Sequence, residues 1–143
     1  MDIEFLRDYC LQKKLTTEST PFDFNTLVFK VNNKIFCLCD IELFKSINLK
    51  CDPEQAIHLR EEFDGINSGY HMNKKHWNTV DINKDVPDEL ILKMIDDSYA
   101  LVVKSLPKKI QNEFFGDLCL LFKAGHIHSV RAVTNSIKHD FIL

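Results

Sequence analysis

The sequence predicts one α+β domain that combines a run of short β-strands with amphipathic helices. Three observations predict it. Apolar residues alternate with period two through Thr26–Asp40, they recur every three to four residues from Ile91 to Val102, and the 143-residue chain has the length of one ordinary domain.

Taken in order, Ile3, Leu6 and Cys10 recur at helical spacing with Tyr9 beside them, which gives a first amphipathic helix ending near the stretch TTESTP. Residues 16–25 are expected to be a loop. From Thr26 the period changes: Leu27, Phe29 and Val31 point one way, and KIFCLCD continues as a second strand after Asn32 and Asn33. Asn tolerates positive φ, so this pair suits a tight hairpin. SINLKC is a third strand with Ile47, Leu49 and Cys51 inward and Asn48 and Lys50 outward.

A helix follows directly, with Asp52 as its cap, Pro53 in its first turn, Gln55 at capping-box spacing, Ala56, Leu59 and Phe63 as its buried stripe, and Gly65 as its stop. GYHM and HWNTVDI form two further short strands around a basic turn at Asn73, Lys74 and Lys75. Pro87 and Asp88 open the longest helix, in which Ile91, Met94, Ile95, Ser98 and Val102 keep their spacing until Pro107 interrupts. Pro107 starts a short helix carrying Ile110 and Phe114. The core is expected to hold Phe29, Phe36, Leu38, Ile47, Leu49, Leu59, Trp77, Ile95 and Val102.

Composition narrows the function. A chain of this size buries roughly 70% of its unfolded surface, and 45% apolar with 27% charged residues is ordinary for a globular protein. The net charge of −3 excludes a surface built throughout for nucleic acid or an anionic membrane, so any such contact must be local. No apolar signal core interrupts the charges of MDIEFLRDYC and no stretch is long enough to span a membrane, which predicts a cytoplasmic protein with no membrane partner. The five Cys form no CxxC pair and no secreted-type framework, so reduced thiols are expected, with Cys37 and Cys39 sharing one buried strand face.

Three strings, INLKCDPEQAIHLRE, GYHMNKKHWNTVDI and DSYALVVKSLPKK, stand in that order over residues 47–109. In these motifs the chain resembles the MmcQ/YjbR family, with a match over roughly residues 1–113. The resemblance implies a two-layer α+β sandwich, an antiparallel sheet of about five strands packed by helices, related in shape to the frataxin fold and associated with DNA binding. It does not extend to the iron chemistry of frataxin, because the first helix offers only Asp2, Glu4 and Asp8 where an acidic ridge is needed. Residues 1–115 are thus expected to form the family domain. Residues 116–143 lie beyond the pattern and are expected to be an extension that packs on the same domain or on a partner, since they are rich in apolar side chains such as Leu120, Leu121 and Phe122.

The candidate binding constellation is Asn48, Lys50, Tyr70, His71, Asn73, Lys74, Lys75, His76, Trp77 and Asn78. Lys, His and Asn donate to phosphate oxygens, while Tyr and Trp offer flat faces to bases. The competing account makes Trp77 core, Asn73 a turn former and the two Lys a solvated tip. Metal binding by Cys51, His58, His71 and His76, or by His126 and His128, lacks zinc-type spacing. Cys51 with His71 or His76 has no third group to orient it, and the four scattered Gly form no phosphate loop. Arg60 is expected to pair with a helix carboxylate and Ser98 to allow close helix-to-sheet packing.

The resulting expectation is a non-enzymatic binding domain, monomeric or homodimeric and without a cofactor, that contacts DNA weakly through its backbone by a basic aromatic hairpin. Its rivals are a small anionic ligand and a protein-interaction module. A pocket enclosed by Asn48, Lys50, His71 and Trp77 would favour the small ligand, and an open ridge carrying Lys74 and Lys75 a polymer.

Overall fold

The structure, a computed structural model, describes residues 1–116. Helix α1 (Ile3–Leu11) opens the chain, capped by the Asp2 carboxylate, which accepts from the Phe5 N–H. Six strands follow, interrupted by one helix: β1 (Thr16–Ser19), β2 (Thr26–Val31), β3 (Lys34–Asp40), β4 (Ser46–Lys50), helix α2 (Pro53–Glu62), β5 (Ile66–Ser68) and β6 (Trp77–Asp81). The long helix α3 (Asp88–Ser105) comes next, then α4 (Lys108–Ile110), which runs into one π-helical turn, Gln111–Phe115. The sheet is antiparallel throughout, in the order β1-β2-β3-β4-β6-β5.

The hairpin between β2 and β3 turns on Asn32 and Asn33, both left-handed at φ 46° and 68°. Its register shifts beside Phe29, and Phe36 is the extra residue on β3. Such a bulge aims two successive side chains to one side, which explains why Phe36 and Cys37 are both fully buried. With Leu27, Phe29, Cys39, Ile47, Leu49, Ile66 and Val80 they make the inner face of the sheet. Leu6 and Cys10 of α1, Leu59 of α2, and Ile91, Ile95, Tyr99 and Val102 of α3 complete the core. The Tyr99 ring meets Phe36 edge-on at 5.3 Å.

Two polar devices fasten the helices to the sheet. Ser98 of α3, fully buried, accepts from the Lys50 N–H at 2.9 Å and donates to the Phe36 carbonyl at 2.5 Å. Its hydroxyl bridges β3 and β4 one residue beyond their last pair, Cys37 and Leu49, a larger role than close packing alone. Lys13 and Asp96 form a buried ion pair at 2.5 Å, and the Tyr9 hydroxyl donates to the same carboxylate oxygen.

Four expectations are corrected. Residues 16–19 are strand rather than loop, paired with β2 as an edge. The strand placed at GYHM lies earlier, at Ile66–Ser68, because His71 takes a left-handed φ of 58° that no strand continues. Trp77 and Leu38 are only half-buried, since both point from the outer face while the rest of the expected core points inward. Arg60 does not pair with a helix carboxylate; its contacts are described below. The expectation for the extension concerns residues 117–143, which lie outside the described residues, as do His126 and His128.

Candidate functional site

Period two sorts the ten candidate residues before any contact is considered. On β4 and β6, Lys50 stands opposite Trp77 and Asn48 opposite Thr79, so these four share the outer face of the sheet. Asn78 points the other way and is fully buried. Its Oδ1 accepts from Arg60 Nε at 2.6 Å and its amide nitrogen reaches the Ala56 carbonyl. Asn78 therefore leaves the binding set and joins the framework, as an inward polar side chain that a guanidinium satisfies.

The remaining six candidates lie in the connection between β5 and β6, residues 69–76. Gly69 starts it in close contact with the neighbouring strand: its N–H donates to the Trp77 carbonyl at 2.8 Å, and a Cβ there would stand 2.7 Å from the Trp77 Cβ. The Tyr70 N–H donates to Thr79 Oγ1, which itself donates to Asn48 Oδ1 at 2.5 Å. That chain joins the loop to the outer face of β4. Asn73 shapes the turn, its side chain accepting from the Lys75 N–H and its carbonyl from the N–H groups of His76 and Trp77. The His76 carbonyl in turn accepts from the Cys51 N–H at 2.7 Å.

Arg60 holds this connection from the helix side. Besides Asn78, its guanidinium donates to the carbonyls of Lys74 and of Trp77, the latter at 3.2 Å. One side chain of α2 thus binds three acceptors of the β5–β6 segment in a fan that suits a planar fork. The side chains of Tyr70, His71, Asn73, Lys74 and Lys75 remain exposed, His76 is half-buried, and the rings of Tyr70 and His71 lie 4.0 Å apart. The result is a braced basic and aromatic turn with exposed side chains, adjoining Lys50 and Trp77.

Sequence reasoning missed two contributors. Arg60 lies four residues after Ala56, on the buried stripe of α2, and that spacing was the available signal for an inward guanidinium. Thr79 follows Trp77 by two, which puts it on the same strand face.

Other constellations assemble poorly. Among the described residues no three His, Cys, Asp or Glu side chains come together as a metal group. Cys51 is half-buried, and burial followed by the charges of Asp52 and Asp97 pushes its thiol up to about 11, away from nucleophilic use near neutrality. A cleft of about 180 Å³ lies between α2 and α3, lined by Cys51, Asp52, Gln55, Asp97 and Lys104 among others, and none of the ten candidate residues lines it. No helix among the described residues is long and apolar enough to cross a membrane.

The YjbR family model matches residues 11–101. Among curated proteins, the uncharacterized protein YbdF of Escherichia coli O157:H7 is 39% identical over 92 residues, covering 64% of this chain and 75% of that protein. The uncharacterized protein YjbR of Escherichia coli K12 is 32% identical over 110 residues, 76% of this chain and 93% of its own. A crystal structure of Deinococcus radiodurans protein DR2400 superposes with a TM-score of 0.74 at 38% identity, covering 78% of this chain and 86% of that one.

Proposed function

Since the chain belongs to the YjbR family, whose α+β fold it shares, we propose that it is a non-enzymatic domain that binds DNA through the residue 69–76 turn. The observation that carries the reading is the braced turn itself: Lys74 and Lys75 stand exposed on a backbone that Arg60 ties down, in a chain whose net charge is −3. Cations on a held backbone lose little freedom when they meet phosphates. Tyr70 and His71 beside them, and Trp77 and Lys50 adjoining the turn, supply ring faces and one more cation. Exposed side chains that line no described cleft suit a polymer better than a small enclosed anion.

The turn neutralises about two to four phosphates, so binding is weak, tolerant of sequence and lost steeply as salt rises. A cytoplasmic location belongs to the same proposal and is supported by Cys10, Cys37 and Cys39, which are free thiols. A frataxin-like shape belongs to it as well, supported by the order of helix, antiparallel sheet and closing helix.

The test replaces Lys74 and Lys75 together by Glu and measures retention of double-stranded DNA at low salt by electrophoretic mobility. Binding should disappear while the thermal midpoint stays nearly unchanged, because both side chains are exposed. If the wild-type protein shifts neither DNA nor RNA at low ionic strength, the proposal fails and a small anionic ligand takes its place.

A further inference from the structure

The strand directions give the sheet two unlike ends. The Asn32–Asn33 turn, the end of β4 at Lys50 and the residue 69–76 turn all emerge at one end, because β3, β4 and β6 are neighbours and Lys50 pairs with Trp77. Helix α3 begins at the opposite end, where Asp88 meets the chain N-terminus, and finishes at this one, where Lys34 Nζ donates to the Ser105 carbonyl at 3.3 Å. Lys108 and Lys109 follow at once, after the Pro107 break, and both are exposed, as is Lys34. Among the described residues, the acidic side chains near this end are Asp52 and Glu54 in the first turn of α2, Asp97 in the cleft beside Asp52, and Glu113; Asp52 is engaged as the α2 cap and Asp97 accepts from Lys93. The other end carries Asp23, Asp40, Glu42, Asp64, Asp81 and Asp85 in its turns and strand ends, against Lys45 and Lys84, the latter paired with Asp81.

We propose that the nucleic-acid contact crosses this whole end of the sheet, with Lys34, Lys108 and Lys109 as a second phosphate-binding group beside the residue 69–76 turn. The inference rests on the reading of that turn as a DNA contact and extends it from one loop to a surface. Strands β3 and β6 are separated by β4, which sets their backbones about 10 Å apart. A single phosphate or carboxylate is smaller than that spacing, whereas a duplex offers a charge about every 1.7 Å along its axis. The opposite, acidic end turns away from the same polymer, which fixes the orientation of the domain on it.

The experiment measures binding to a fluorescein-labelled duplex of about 20 base pairs, two helical turns, by anisotropy over a range of salt concentrations. The variants are K34Q/K108Q/K109Q and K74Q/K75Q, each checked by circular dichroism for an unchanged thermal midpoint. The triple variant should bind measurably at low salt with a slope of log K against log salt shallower by about two to three units, since each lost contact removes about 0.9. Alanine at the same three positions should give the same slope, which separates charge loss from a local folding defect. A triple variant with the wild-type slope, alongside a weakened K74Q/K75Q, overturns the second group and leaves the turn standing. Wild-type protein that binds no duplex overturns both.

Discussion

Replacing Ser98 by Ala should loosen the sheet at its centre. The hydroxyl serves two backbone groups, the Lys50 N–H at 2.9 Å and the Phe36 carbonyl at 2.5 Å, on β3 and β4 just beyond their last pair. Ala leaves both without that partner, and the side chain it replaces is fully buried. Leaving a buried donor or acceptor unsatisfied costs about 1–3 kcal/mol. Lys50 is partly exposed, so water recovers some of the loss at its amide. The sum is a destabilisation of about 2–4 kcal/mol, or a fall in Tm of about 8–15 °C for a chain of this length. Urea denaturation should show the midpoint falling with an unchanged slope, and hydrogen exchange should show the Lys50 amide losing protection. Ser98→Thr, which keeps the hydroxyl, should preserve that protection. A loss below about 1 kcal/mol with the Lys50 amide still protected would mean that the strands close on each other directly, and the bridge would then be incidental.

Arg60→Met should free the residue 69–76 turn, since the carbonyls of Lys74 and Trp77 and the side chain of Asn78 lose their common donor. Faster exchange of the Cys51 and Gly69 amides and weaker DNA retention should accompany a loss of about 1–3 kcal/mol; Arg60→Lys should not restore them, and full rescue by Lys would refute the fork geometry. Acid should weaken the fold through three carboxylates. Hydrogen bonding from Arg7 holds Glu18 below its ordinary 4.5, and the N–H groups of Asn25 and Thr26 hold Asp23 below 3.8. At Asp85 burial pushes upward, but donation from the Gly65 and Asp64 N–H groups outweighs it. Because the folded values are depressed, their contribution is complete above the ordinary carboxylate range and disappears as pH falls through the folded values. Urea midpoints should therefore fall below about pH 4, and Glu18→Gln should flatten that fall; an acid limb unchanged by this variant would assign it elsewhere.

The sequence discloses an element wherever side chains alone set it. The β2–β3 hairpin is legible because period-two apolar residues flank an Asn pair able to take positive φ, and α2 because Asp52, Pro53 and Gln55 mark its start. Strand β1 escapes, since TTES has no apolar alternation and is held at the edge by backbone pairing with β2. Strand β5 is three residues with one buried apolar side chain, too short for a period to show. The site divides in the same way. Composition singles out the basic turn, but its bracing by Arg60 joins residues 14 to 18 apart through backbone carbonyls that carry no side-chain signature. Asn78 misleads for a related reason, because a polar residue in WNTVD is expected outward until a guanidinium partner is known.

The three thiols of the core give the molecule an internal timer. Cys10 of α1 lies against Cys37 of β3, whose thiol is raised by that hydrogen bond and by burial, and burial pushes neighbouring Cys39 up to about 12. None of the three is more than 2% exposed. At Cys37 and Cys39 a thiol-specific reagent meets neither a thiolate nor an open path while α1 lies on the sheet. At reagent concentrations where reaction outpaces reclosing, labelling of Cys37 counts openings of that contact, and below them it reports the fraction of molecules open, in native buffer and without denaturant.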